Sequence, residues 1–312
     1  MRRALLLLLV AAVAAIAVYA GWQVRRFRAQ EEEKRLRAIH TLTGNVTHQT
    51  FRSEILGAKR RVWVYLPPRY DDQAERRFPV LYMQDGQNVF DGATAFLAGT
   101  EWRADETAED LIERGLVEPL IIVAVDNGGE RRITEYTPTE HEGHGGGAPA
   151  YRRMLIEELK PWVDETWRTR PGPEDTGIAG SSLGGLVSLW IGLSRPDVFG
   201  RIGALSTSVW WDDGFILGFV ASLPEKPPTR IWTDMGTREG SRAESGGRRL
   251  RDAILAKGWR EGVDLRFVEA EGARHDEAAW ARRFPAVLEF LYPPRGRTAP
   301  DASGSAPPQS GS

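Results

Sequence analysis

Gly177-Ile178-Ala179-Gly180-Ser181-Ser182-Leu183-Gly184-Gly185 passes from a short apolar run into a helix-forming segment that stops before Pro196. Residues 180–184 form a G-x-S-x-G pattern centred on Ser182. A serine at that position stands on a sharp strand-to-helix turn, with its hydroxyl above the edge of the sheet. The flanking glycines remove side chains that would collide with the strand and the helix. The backbone N–H of Leu183, at the helix start, can stabilise an oxyanion. Ordinary glycine-rich turns and phosphate-binding loops match the same short pattern, so its neighbours and partners decide its meaning.

Working outward, strand and helix signals alternate. Residues 61–66 (RVWVYL) and 79–83 (PVLYM) read as strands, and 104–114 as a helix. Residues 120–125 (LIIVAV) are continuously apolar, as a central strand covered on both faces must be. Residues 151–167, 185–193, 247–257 and 277–292 read as helices, and 201–206, 230–233 and 265–269 as strands. This alternation predicts an α/β fold, a mostly parallel sheet with helices on both faces and an antiparallel start.

A serine nucleophile needs an imidazole to take its proton and a carboxylate to orient that imidazole. Where the nucleophile sits in such a turn, the chain order is serine, acid, histidine. Of His40, His48, His141, His144 and His275, only His275 follows Ser182. It lies in a loop between the last strand and the last helix. Two acids follow the strand at 230–233: Asp234 at its end and Glu239 further into the loop. Spacing alone leaves both open. His141-Glu-Gly-His-Gly-Gly-Gly147 falls after the central strand and reads as a flexible loop, with a metal pair as the minor alternative.

The totals restrict the alternatives. The chain has 312 residues and no cysteine, so disulfides, thiolate–zinc sites and a cysteine nucleophile are excluded. Lys and Arg (41) nearly balance Asp and Glu (43), which gives a nucleic-acid partner no support. After Met1-Arg2-Arg3, residues 4–20 (ALLLLLVAAVAAIAVYA) carry no charge. With Gly21 and Trp22 this is a membrane anchor or an export signal cleaved after Val18-Tyr19-Ala20, and both predict a catalytic domain outside the cytoplasm, periplasmic or membrane-anchored. Residues 1–40 therefore read as anchor or signal plus stalk, 41–293 as the catalytic domain, and 294–312 as a disordered Pro/Gly/Ser tail.

Four segments, VLYMQDGQNVFD (80–91), AGSSLGGLVSLW (179–190), WTDMGTREG (232–240) and GARHDEAAW (272–280), together resemble the putative-esterase family of α/β-hydrolases. That family includes esterase D, enterochelin esterases, feruloyl esterases and mycolyltransferases. The resemblance implies an α/β-hydrolase fold, a serine esterase working without a cofactor, and a small-molecule ester as substrate. It matches Ser182 to the nucleophile, His275 to the base, and Glu239, after the Gly-Thr pair, to the acid in preference to Asp234. It also implies a second oxyanion donor at the backbone N–H of Gln87. Arg132 and Tyr136 follow the central strand and Trp210-Trp211 follow the strand at 201–206, so all four are expected to bind substrate at the active-site edge. Acyl transfer to an alcohol and a non-catalytic envelope scaffold are the alternative functions. These sequence features carry no signal for oligomeric state.

Overall fold

The computed structural model describes residues 2–295; of residues 2–17 and Ala20 it gives only the helical backbone. Among the described residues, the strands β1 (Asn45–Ser53), β2 (Ala58–Leu66), β3 (Val80–Gln84), β4 (Ile121–Val125), β5 (Glu140–His141), β6 (His144–Gly145), β7 (Thr176–Ser181), β8 (Arg201–Leu205), β9 (Arg230–Gly236) and β10 (Leu265–Ala270) follow in chain order. The helices are α1 (Arg2–Arg37), α2 (Ala104–Glu113), α3 (Arg132–Tyr136), α4 (Ala148–Arg153), α5 (Lys160–Thr166), α6 (Leu183–Ser194), α7 (Phe215–Ser222), α8 (Ser241–Ala256) and α9 (Glu277–Leu291).

Eight of these strands make one sheet in the order β1-β2-β4-β3-β7-β8-β9-β10. The β1–β2 and β2–β4 pairs are antiparallel, and every pair from β4 to β10 is parallel. The expected α/β architecture is present: this is the α/β-hydrolase arrangement. The apolar run at 120–125 becomes β4, which is buried along its whole length. Alternate strand residues feed two cores. Val62, Val80, Val123 and Ile178 pack with α4 to α8 on one face, and Trp63, Leu81, Ile122 and Ala179 with α2 and α9 on the other.

Some elements differ from the sequence expectation. β1 (NVTHQTFRS) is an edge strand, largely exposed and polar, so it lacks the alternating apolar signal of a half-buried strand. The helix expected from residue 151 begins at Ala148 with Pro149 in its first turn, and it passes through a π-helical stretch, Met154–Leu159, before continuing as α5. β9 runs on to Gly236 because β10 pairs with it that far. The His-Gly-rich segment is not a structureless loop: His141 pairs with His144 across the β5–β6 ribbon.

The end of the segment read as a stalk makes contacts with the rest of the chain. It lies against the segment 91–101. Arg37 Nη1 donates to the Ala93 and Ala95 carbonyls at 3.3 and 3.1 Å, His40 Nδ1 lies 2.6 Å from Asp91 Oδ2, and Gly92 N donates to Thr41 Oγ1 at 2.9 Å. Among the described residues no helix is long and apolar enough to cross a membrane. The side chains of the apolar run 4–22, on which the anchor expectation rests, fall mostly outside the described residues, and the tail expected at 294–312 lies outside them beyond residue 295.

Candidate active site

Ser182 sits between β7 and α6 with φ 58° and ψ −122°, a backbone conformation that costs of order 1–3 kcal/mol for a non-glycine residue. Its amide donates to the Leu205 carbonyl at 3.0 Å, and its carbonyl accepts from Leu186 N at 3.0 Å and Ser208 N at 3.1 Å, so three contacts hold the strained turn. The first glycine of the pattern is required sterically, since a Cβ on Gly180 would lie 2.7 Å from the Gly184 carbonyl carbon. The hydroxyl's hydrogen-bond partner is Ser208 Oγ at 3.3 Å. Leu183 opens α6, and its N–H is one of the first-turn donors that a helix leaves without an internal partner.

His275 stands just before α9, whose N-cap Asp276 accepts from Ala279 N at 2.8 Å. Its Nδ1 meets Glu239 Oε2 at 2.9 Å, and its ring packs edge-on against Trp280 with centroids 5.1 Å apart. A carboxylate at Nδ1 fixes the N–H there and leaves Nε2 free to accept a proton. The loop carrying His275 is tied to the loop carrying Glu239: Arg238 N donates to the Ala273 carbonyl at 3.0 Å and Gly272 N to Thr237 Oγ1 at 2.9 Å.

The geometry separates the two acids. Glu239 accepts from His275 through one oxygen, and from Ser206 Oγ and Gly236 N, both at 2.7 Å, through the other. Burial raises the Glu239 carboxyl, but the bonds from His275, Ser206 and Gly236 outweigh it and hold the group below the usual carboxylate range. Asp234 is buried across Ser206 from Glu239, accepting from Trp232 Nε1 at 2.8 Å and Ser206 N at 3.1 Å and forming an ion pair with Arg283 Nη2 at 3.1 Å. Burial pushes its carboxyl above the usual range against the pull of those donors.

Ser206, Trp280 and Arg283 surround the Glu239 carboxylate and were not singled out by sequence. The Ser206 hydroxyl gives its proton to Glu239 and accepts from Trp280 Nε1 at 2.9 Å and Arg283 Nη2 at 2.8 Å, which uses its full capacity. Ser206 directly follows β8, with φ 43°. Trp280 closes the fourth recognised segment, and Arg283 lies one turn further along the same helix, which is the signal that could have marked them.

The Asp85-Gly86-Gln87 turn lies beside this constellation. Asp85 has φ 56° and ψ 49°, and Gly86–Asn88 form a single 3₁₀ turn. Gly86 passes so close to β4 that a Cβ would lie 2.7 Å from the Val125 carbonyl carbon. A Cβ on Gly184 would lie 3.1 Å from Asp85 Oδ2, so the turn and the start of α6 are neighbours.

The expected binding residues fare unequally. Arg132 does not offer a free guanidinium: its Nε and Nη2 hold the two Asp85 oxygens at 2.6 and 2.8 Å. Tyr136 cannot wall a pocket, because it is wholly buried and its hydroxyl accepts from Asp85 N at 3.0 Å. Trp211 is buried too, its indole N–H shared between the Thr139 carbonyl and hydroxyl at 3.2 Å. Trp210 is 47% exposed and is the one of the four with a face left open. His141 Nδ1 lies 3.3 Å from Asp212, and its ring packs edge-on against Trp211 with centroids 5.8 Å apart. Among the described residues no group of three His, Asp or Glu side chains is placed to hold a metal ion.

The fold is of the α/β-hydrolase type. The chain belongs to the family described as "Putative esterase", whose model matches residues 53–291. It is 28% identical to the uncharacterised protein YbbA of Bacillus subtilis over 255 residues, which cover 77% of this chain and 95% of that protein. It is 30% identical to the iron(III) enterobactin esterase of Dickeya dadantii over 176 residues, 56% of this chain but only 35% of that longer protein. A solved structure of the BES protein from Bacillus cereus shares the fold with a TM-score of 0.64 and 22% identity, covering 80% of this chain and 96% of that one. The protein is thus a carboxylic ester hydrolase.

Proposed function

We propose that the protein hydrolyses a carboxylic ester through an acyl-serine intermediate, with Ser182 as nucleophile, His275 as base and Glu239 as the acid that orients it. His275 Nε2 takes the Ser182 proton as Oγ attacks the ester carbonyl. The oxyanion of the tetrahedral intermediate receives hydrogen bonds from the backbone N–H groups of Leu183 and Gln87. Its collapse breaks the ester C–O bond, and His275 returns the proton to the departing alcohol. Water, deprotonated by the same imidazole, then releases the acid and regenerates Ser182. Every step is proton transfer and acyl transfer between these groups.

The observation that supports this reading best is the buried Glu239 carboxylate against His275 Nδ1 at 2.9 Å, in a loop tied to the base-bearing loop. In the substrate assigned to it, Trp210 meets the acyl or aromatic part, and the enterobactin esterase relative makes an aryl-bearing siderophore ester the first class to try. The test is steady-state hydrolysis of p-nitrophenyl acetate and of an aryl ester panel by wild type and the H275A variant. Turnover by wild type and its collapse in H275A support the reading; undiminished turnover in H275A contradicts it.

The same reading takes residues 41–293 as the catalytic unit and the apolar run 4–22 as an export signal or membrane anchor that carries it out of the cytoplasm. Active alkaline phosphatase fused after residue 40 is the expected outcome, and an inactive fusion contradicts it.

A further inference from the structure

Asn88 lies one residue beyond Gln87 and is almost wholly buried. Each of its polar groups is used. Its N–H donates to the Asp85 carbonyl and its carbonyl accepts from Trp102 N, both at 2.8 Å. Its side-chain oxygen accepts from Phe96 N at 2.8 Å, and its side-chain nitrogen donates to Glu277 Oε1 at 3.0 Å. Glu277 is also buried and stands two residues after His275, in the first turn of α9. The bond joins two segments 189 positions apart, one carrying an oxyanion donor and the other the base.

A buried carboxylate so near a catalytic site is costly to keep. Burial raises the Glu277 carboxyl, and Asp85 and Asp276 push it in the same direction, while its own backbone N–H and His275 oppose them. A surface carboxylate would avoid that cost, and Asn88 would still have Phe96 N to hold it. The placement is explained if the pair fixes a distance that chemistry needs.

We propose that Asn88 and Glu277 are positioning residues that lock the Gly86–Asn88 turn to the His275 loop, so that the Gln87 N–H and the imidazole keep one spacing through the tetrahedral intermediate. Neither side chain touches the reacting atoms; each acts through its neighbour. The proposal rests on the triad reading above. Gly86 and Gln87 are held on one side by β4 and by Asp85, and Asn88 supplies the tie on the other. Glu277 does the same for His275, whose other anchor is Glu239.

The test compares kcat and KM of N88A, E277A and E277Q on p-nitrophenyl acetate. The side-chain amide in E277Q keeps an oxygen to accept from Asn88, so this variant is expected within about threefold of wild type. In N88A and E277A, kcat is expected to fall by about 10- to 100-fold with KM within about threefold, as for a small misplacement of catalytic groups. If N88A does not fold, the E277A/E277Q pair decides by itself. Wild-type kcat in E277A, an E277Q variant as impaired as E277A, or a rise in KM at constant kcat overturns the proposal. S182A separates the two readings: an active S182A removes the triad reading itself, whereas an inactive S182A beside a fully active E277A removes only the positioning pair.

Discussion

At the level of single residues, the two candidate acids are chemically alike but differently placed. Glu239 spends one oxygen on His275, whereas Asp234 spends both on Trp232, Ser206 and Arg283. Removing the charge should therefore separate their roles. E239Q is expected to lower kcat by about 10²- to 10⁴-fold, because an amide cannot hold the imidazole in its required tautomer and balance its positive charge. D234N is expected to leave the folded enzyme active within several-fold but to cost about 1–3 kcal/mol of stability, because an amide N–H2 would face a buried donor. Parallel kinetics and thermal unfolding of the two variants check this; a larger kcat loss in D234N than in E239Q would contradict it. The Glu239 carboxyl also carries a pH signature. Its folded-state affinity for protons is depressed, so its stabilisation is complete above the usual carboxylate range and is lost as pH falls through its lowered value. The acid limb of the unfolding midpoint against pH should be shallower in E239Q than in wild type.

The serine turn, a feature of whole elements, stores strain that the sequence announces only as a motif. Ser182 holds its conformation because Leu205 at the end of β8 fixes its amide, and Leu186 in α6 and Ser208 beyond β8 fix its carbonyl. Glycine tolerates positive φ without the side-chain clash. S182G is therefore expected to unfold at a higher temperature than S182A, although both lose the nucleophile; equal midpoints, or a lower one for S182G, would show that the turn is unstrained. This element was the most legible part of the chain, since its glycines, the apolar run before it and the helix after it are all local signals. The proposal of His275 rests on chain order, since it is the one histidine after Ser182. Spacing does not choose between Asp234 and Glu239, because they are separated by how loops fold back on each other. Arg132 and Tyr136 misled for the same reason. Their position after β4 puts them near the site, but Arg132 turns to Asp85 and Tyr136 is sealed beneath it. Ser206, Asn88 and Glu277 act through partners distant in sequence; Asn88 and Glu277 lie inside segments 80–91 and 272–280, which carry the resemblance, whereas Ser206 lies outside all four.

Over the whole molecule, the sheet order and its two cores follow from the alternation of apolar strands and amphipathic helices. The edge strand β1 and the docking of the stalk do not, because both are built from polar residues. The contacts of Arg37, His40 and Thr41 tie the N-terminal segment to residues 91–95, and Thr94 Oγ1 in turn donates to the Gln87 carbonyl at 2.9 Å. A chain beginning at residue 44 is expected to melt below one beginning at residue 30, by about 2–4 °C for each kcal/mol those contacts supply. Identical midpoints would mean that the segment is a detached stalk, as its composition suggests.

The proposed mechanism requires that Ser182 be the residue that becomes acylated. A fluorophosphonate probe reacts with an activated serine and leaves a stable adduct that peptide mass spectrometry can locate. A single adduct is expected on the peptide containing Ser182 in wild type, and none in S182A of the same fold and stability. A probe adduct on Ser181, Ser206 or Ser208, or labelling that persists in S182A, would contradict it.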